Sequence, residues 1–354
     1  MPDRDELSDW LKLYFGLGRA AARKLLIRTG SAATAAAQLP ELPPEQQSRL
    51  DHSLRWLDAE PARSLLCLGD ADYPEGLLNS PDPPLLLFLQ GRREQLERPA
   101  LAVVGSRHPT PAGLELAEEF SGELARLGWV VVSGLAIGID GAAHRGALAG
   151  AGATWAVLGG GIEPLYPPSH KALGAEIARA GLLISEHAPG TPSLPAQFPV
   201  RNRLIAALSQ GCLVVEAAPR SGSLITARLA AEAGREVFAL PGPVRSLQAQ
   251  GCHLLIQQGA KLVQSVQDIL DELPGPTPAG ACQPLKPQTE PAPTVAPSAE
   301  LDPVLRAMGH EVCSLDRLLG RLNWPLATLQ AHLLGLELEG RVERLPGERF
   351  QARR

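Results

Sequence analysis

A chain of 354 residues with 45% hydrophobic content can bury one large core with smaller modules attached, which excludes a disordered or fibrous polypeptide. Its 38 acidic against 33 basic residues leave a net charge of −5, so any hold on nucleic acid must come from a local basic patch. The 5 cysteines, Cys67, Cys212, Cys252, Cys282 and Cys313, are scattered without a CxxC pair, which argues against a zinc knuckle and fits buried thiols in a reducing compartment.

The opening MPDRDELSDW carries charge where a signal peptide would need an apolar run, and no stretch approaches the roughly 18 apolar residues of a membrane span. A cytoplasmic protein without membrane contact is expected. Residues 1–60 have helical spacing broken at Phe15–Gly18 and Leu39–Pro44, which predicts a small helical domain. Within it Gly16–Leu26 resembles a helix-hairpin-helix element. Its glycine turn either lets backbone N–H groups approach a phosphate, followed by Arg19, Arg23 and Lys24, or only packs two helices.

Between Pro61 and Gly91 prolines punctuate two apolar runs, which read as an extra strand or two leading into the main sheet. Strands are then predicted at Leu101–Val104, Trp129–Val132, Ala153–Leu158, Gly181–Ser185, Cys212–Glu216 and Glu236–Leu240. Helices are predicted over Pro111–Leu127, Pro168–Ala180, Leu204–Leu208 and Leu224–Ala233. Alternation of this kind folds, by the right-handed crossover rule, into a doubly wound parallel sheet with its loops gathered along one edge. A last helical pair runs to about Leu273, so the sheet domain is placed at 61–273. Residues 274–299 are Pro, Ala and polar without periodicity and read as an extended linker. In 300–354, helices at Leu301–Met308, Ser314–Leu322 and Pro325–Leu338 and a hairpin around Pro346-Gly347 make a winged-helix domain, with Ser314 and Asn323 as caps.

Most sites of conventional chemistry fail on spacing. Asp140 and His144 stand four apart but lack a third metal ligand, so no metal is expected; Asp140 is assigned to capping the helix or bonding the loop backbone and His144 to bonds within the domain. Ser185, Glu186 and His187 cannot form a relay because adjacent strand residues point to opposite faces. A dinucleotide cofactor needs GxGxxG after the first strand, where Gly105-Ser-Arg-His-Pro stands instead, so no cofactor is expected. What remains is a set of cationic and small residues at strand ends: Ser106 and Arg107 after the first, Gly159, Gly160 and Gly161 after the third, Arg201 and Arg203 at one helix start, Ser221 and Ser223 at another. Guanidinium forks and free N–H groups in several neighbouring loops suit a linear polyanion better than one nucleotide. Tyr166 and Phe198 lie beside these loops as candidates for stacking bases, or for core packing.

The ordered set GSR (105–107), SGLAxGIDxxAH (133–144), GGGxxxxYP (159–167), SE (185–186), FPxRNR (198–203), VVEA (214–217), SGSLxTAxxA (221–230) and PGP (241–243) resembles the DNA-processing protein A family, DprA or Smf. That resemblance spans roughly residues 62–272, and the family's accessory domains resemble the two flanking modules. It implies an extended Rossmann-like fold and a non-enzymatic role: binding and protecting incoming single-stranded DNA in natural transformation and loading the RecA recombinase onto it, as a homodimer. It further implies phosphate contacts by Arg107, by Arg201, Asn202 and Arg203, by the loop Gly159–Gly161, and by Lys171. One departure is visible, His253 where the family has Asn after Gly-Cys, which puts the turn geometry at that loop in question. The alternative is a nucleotide-processing enzyme of the lysine-decarboxylase-like phosphoribohydrolase kind, whose PGGxGTxxE loop neither Pro241–Pro243 nor Ser221–Ser223 supplies. The winged helix carries no Lys or Arg in Pro325–Leu338, so it is expected to contact protein more than to read duplex sequence.

Overall fold

The structure, a computed structural model, describes residues 4–273, 302–308, 313–322, 324–339, 341–345 and 349–352. The expected linker, Cys282, the cap Asn323 and the turn Pro346-Gly347 lie outside the described residues. The chain divides into two units, Met1–Ala281 and Cys282–Arg354.

The first unit opens with helices α1 (Arg4–Gly16), α2 (Arg19–Thr29), α3 (Ala32–Ala36) and α4 (Pro44–Ala59). Their apolar stripes, including Leu11, Leu13, Phe15, Ala22 and Trp56, pack with Leu65, Phe88, Leu158 and Leu183 of the sheet in one cluster. The helical segment is therefore seated on the sheet and shares its core.

The sheet follows in the order of the chain: β1 (Arg63–Cys67), the short α5 (Glu75–Leu78), β2 (Leu86–Gly91), β3 (Ala100–Val104), α6 (Pro111–Arg126), β4 (Val130–Ser133), α7 (Ile139–Ala149), β5 (Thr154–Leu158), α8 (Lys171–Ala180), β6 (Leu182–Ser185), α9 (Gln197–Ala207), β7 (Gly211–Val214), α10 (Ser223–Glu232), β8 (Glu236–Ala239), α11 (Gln250–Gln257), β9 (Lys261–Leu262) and α12 (Val266–Leu270). In space the strands run β1-β2-β6-β5-β4-β3-β7-β8-β9. From β6 to β9 every pairing is parallel, whereas β1 and β2 are antiparallel to their neighbours. The two punctuated runs at 61–91 are thus an antiparallel edge added to the doubly wound sheet.

Parallel strands covered on both faces should read as continuous apolar runs. Ala100–Val104 and Thr154–Leu158 are buried at every position. The predicted helix at 204–208 in fact begins at Gln197, because Pro199 falls in the first turn, where a helix needs no N–H from it. The two-residue β9, between the last two helices, carries too short a pattern to be read from sequence. The described cysteines Cys67, Cys212, Cys252 and Cys313 are all buried.

The second unit contains α13 (Pro303–Met308), β10 (Cys313–Ser314), α14 (Leu315–Leu322), α15 (Leu326–Leu338), β11 (Val342–Leu345) and β12 (Arg349–Ala352), with strand order β10-β12-β11. Val304, Leu318, Leu329, Leu333, Leu336 and Phe350 fill its separate core. This is a winged-helix fold, with Ser314 directly before α14 as the cap pattern requires. Among the described residues no helix is long and apolar enough to cross a membrane.

Candidate nucleic-acid interface

The loops after β3, β4, β5, β6, β7 and β8 leave the carboxyl ends of parallel strands, where doubly wound sheets gather ligands. The loop after β4 is the scaffold of this edge. Leu135 holds a left-handed backbone, φ 59°, which a bulky apolar residue adopts only under constraint. The constraints are visible: its N–H donates to His144 Nε2 at 3.3 Å and its carbonyl lies 3.0 Å from His170 Nδ1. His144 Nδ1 is 2.7 Å from the Thr154 hydroxyl, which itself donates to the Val131 carbonyl, so the imidazole is neutral with its proton on Nδ1. Burial lowers its pKa to about 3. Asp140 Oδ2 accepts from the Gly134 N–H at 3.1 Å and the Ala136 N–H at 3.4 Å. Both residues hold the loop, as their spacing predicted.

The loop after β3 leans on this scaffold. Gly138, at φ 84°, lets the backbone pass so close to the Ser106 carbonyl that a side chain there would collide, and the Ile139 N–H donates to that carbonyl at 3.1 Å. Ser106 is buried, its hydroxyl accepting from the His108 N–H at 3.0 Å. Arg107 is exposed, and its guanidinium carbon lies 5.5 Å from the Phe198 ring centroid. Phe198 rests on Gly159, where an added Cβ would meet the ring at 2.8 Å. Tyr166, 53% exposed, stands beside it with ring centroids 5.7 Å apart. Arg107, Phe198 and Tyr166 therefore form one continuous surface. Ile137, Leu194 and Val200, 41%, 53% and 46% exposed, stand on the loops after β4 and β6 and on α9 of this same edge. Lys171, exposed at the first turn of α8, follows the His170 ring that is bonded to the β4 loop.

The structure separates residues that the sequence groups together. Arg201, Asn202 and Arg203 are consecutive on α9, and each helical step turns the side chain by about 100°. Arg201 is 5% exposed; its Nη1 donates to the Gly134 carbonyl at 2.8 Å and to the Val157 carbonyl. Burial lowers its pKa to about 10, with attraction to Asp140 acting against that and Arg107 adding to it. It ties the ends of β4 and β5 together as a buried cation. Asn202 points to the next loop, its amide 3.4 Å from the Gly222 carbonyl. Arg203 turns the other way, with Nη2 on both Glu186 oxygens at 2.5 and 2.6 Å and Nη1 on the Asp82 carbonyl at 2.9 Å. Two residues apart on α9, Arg201 and Arg203 thus point to opposite sides of the helix, Arg201 inward to the ends of β4 and β5 and Arg203 to Glu186.

The glycine loop is also enclosed. Gly159, Gly160 and Gly161 are all buried, and the Gly161 N–H is taken by the Thr191 carbonyl at 3.0 Å. It admits Phe198 and Ser193 to close approach. Ser221 is partly exposed and its hydroxyl sits 2.7 Å from that of buried Ser223, at the start of α10.

Arg19 and Arg23, the alternatives for the glycine turn at Gly16–Gly18, are ion-paired. Arg19 reaches Glu186 at 2.5 Å and Asp82 at 2.9 Å, and Arg23 reaches Asp82 at 2.6 Å. These pairs suit the packing alternative, while Lys24 stays exposed; sequence had no means to pair residues 167 positions apart. His253, on α11 rather than in a turn, has Nε2 3.0 Å from the Gly242 carbonyl and so holds the loop after β8.

Acidic residues near this edge are consumed internally. Glu216 accepts from the Thr110 N–H at 2.9 Å and the Thr110 hydroxyl at 2.6 Å, Asp140 serves the β4 loop, and Glu186 serves Arg203 and Arg19. Arg107 and Lys171 show no such carboxylate partner among the described residues. The edge is left with exposed cations beside an exposed aromatic, the combination a single strand needs.

The sequence model of DNA recombination-mediator protein A matches residues 64–274, and that of the DprA winged helix domain matches residues 288–348. The chain is 40% identical over 313 residues to Protein Smf of Escherichia coli (strain K12), covering 86% of this chain and 81% of that protein. It is 47% identical over 203 residues to DNA processing protein DprA of Streptococcus pneumoniae, covering 57% and 72%. Among solved structures it resembles DNA processing protein A from Streptococcus pneumoniae, with TM-score 0.65 and 38% identity over 75% of this chain and 98% of that one. It also resembles DNA processing protein A from Helicobacter pylori, described for its single-stranded DNA binding mode, with TM-score 0.54 and 30% identity over 59% and 94%.

Proposed function

The chain belongs to the DNA recombination-mediator protein A family, and from that premise we propose that it binds single-stranded DNA along the carboxyl edge of its sheet, protects it, and loads RecA recombinase onto it during natural transformation. The observation that carries the reading is the joined surface of Arg107, Phe198 and Tyr166, a cation over one ring with a second ring exposed beside it. Arg107 and Lys171 hold phosphates, Tyr166 stacks a base, and Phe198 is the floor that fixes both. Asn202 and Ser221 extend the polar margin toward α10. Arg201, Arg203, Ser106, Ser223 and the loop Gly159–Gly161 act from beneath, by fixing the loops. The single-stranded DNA binding named for the Helicobacter pylori protein supports this choice of ligand.

The protein works by binding rather than catalysis, in the cytoplasm, and as a homodimer. Support for self-association comes from the α11 side of the groove between α10 and α11, where Leu254 is 40% exposed beside Leu255 and Gln258; Arg220, on the loop before α10, lines the same groove and stays exposed. Of the domains, 61–273 carries the DNA; 300–354 meets protein, because α15 shows exposed Leu326 and Leu334 and no Lys or Arg. A nuclease-protection assay tests the function: the full chain should shield a single-stranded oligonucleotide from an exonuclease and stimulate RecA ATPase on that strand, and Arg107→Ala should do neither. Release of ribose 5-phosphate from a purine monophosphate would overturn the binding-only reading.

A further inference from the structure

We propose that the single-strand track does not end at α9 but continues over the loops after β7 and β8, where Arg220 and Arg245 hold further phosphates and Val244 and Leu247 support bases. The inference rests on the DNA reading above and assigns that site's second half. Contacts join the two halves without a gap. Asn202, next to Arg201 on α9, reaches the Gly222 carbonyl at 3.4 Å, beside Arg220 and Ser221. The loop after β8 is pinned to the loop after β7, because the Ala217 N–H donates to the Gln248 carbonyl at 2.7 Å.

That second loop is fixed at both ends. His253 Nε2 lies 3.0 Å from the Gly242 carbonyl, and the Ser246 N–H closes a turn on the Pro243 carbonyl at 2.8 Å. At its crest Val244 is 83% and Leu247 60% exposed, apolar side chains held up to solvent by an ordered loop. Arg245 stands between them, exposed, and Arg220 is exposed on the neighbouring loop. Neither arginine meets a carboxylate within ion-pair distance among the described residues, and the nearby Glu216 has both oxygens on Thr110. Exposed, uncompensated guanidinium groups interleaved with apolar side chains form the surface that tracks a sugar-phosphate backbone without reading sequence.

The test compares the full chain with the double variants Arg220→Ala/Arg245→Ala and Val244→Ser/Leu247→Ser on oligo-dT of about 5 and about 15 nucleotides, lengths within the range of single-strand sites. All four positions are exposed, so the thermal midpoint should be unchanged. Affinity for the short strand should stay within about twofold, while affinity for the long strand should fall about tenfold or more. The salt slope on the long strand should lose about 1.4 for the arginine pair, near 0.7 per phosphate. Equal losses on both lengths, or none on either, would overturn the extension. Retention of wild-type binding by Arg107→Ala would instead overturn the underlying DNA reading, so the two failures are distinct.

Discussion

The Arg107 guanidinium carbon lies 5.5 Å from the centroid of the Phe198 ring, and that ring rests against Gly159, so a glycine positions a cation through an intervening aromatic. A cation over an exposed ring contributes only about 0.5–1 kcal/mol, so the value of the contact is in fixing where the charge stands. Gly159→Ala would place a Cβ 2.8 Å from the ring and push it outward. The expected outcome is a loss of about 1–3 kcal/mol in urea unfolding together with weaker single-strand binding. A variant with wild-type affinity would show that the ring's position is immaterial.

Arg201 is expected to act on stability first. Arg201 attracts Asp140 and donates to the Gly134 and Val157 carbonyls, and withdrawing a donor from buried partners costs about 1–3 kcal/mol. Arg201→Ala should lower the denaturation midpoint by that amount, and Arg201→Met with Asp140→Asn should recover part of it. Arg201→Ala with an unchanged midpoint but no DNA binding would make Arg201 a direct phosphate contact.

Glu186 joins the N-terminal helices to the sheet domain through Arg19 and Arg203, with only 10% of its side chain exposed. Glu186→Gln withdraws the charge from both and should cost about 2–3 kcal/mol. Limited proteolysis should then cut within the first 60 residues faster than in the wild type. Unchanged cleavage would mean that apolar packing alone seats those helices.

His144 makes stability depend on pH. Burial holds its pKa near 3 against an ordinary 6.5, so the unfolded chain binds a proton below pH 6.5 that the folded chain refuses until about pH 3. Stability is therefore complete above pH 6.5 and falls by about 1.4 kcal/mol per unit below it, or about 2 kcal/mol by pH 5. Burial also lowers the His187 pKa, which adds a slope of the same sign. His144→Gln should be less stable at pH 7 but show a visibly flatter profile between pH 6.5 and 5. An unaltered profile would contradict the neutral buried imidazole.

Strands, helices and the winged helix were legible because each apolar run or stripe reports its own burial: Thr154–Leu158 is buried at all positions, as its composition demands. The loop roles of Asp140 and His144 were legible from four-residue spacing and the absence of a third ligand. The direction of the arginines was not. Whether Arg201 and Arg203 share a face depends on α9 starting at Gln197 rather than 204, a difference that one tolerated proline hides. Glu186 and Asp82 were invisible as partners because ion pairs across the fold leave no spacing signal. Arg107 stood out because nothing follows the first strand except a short loop.

The central claim is that exposed cations on the sheet's carboxyl edge, Arg107 foremost, bind single-stranded DNA. Titration of fluorescent oligo-dT and a duplex of equal length, across a salt series, for the wild type and Arg107→Ala, tests it most directly. The expected result is preference for the single strand, affinity falling steeply with salt, and at least a tenfold loss for Arg107→Ala with a shallower slope by about 0.7. Equal affinity of the variant and the wild type at every salt concentration would contradict it.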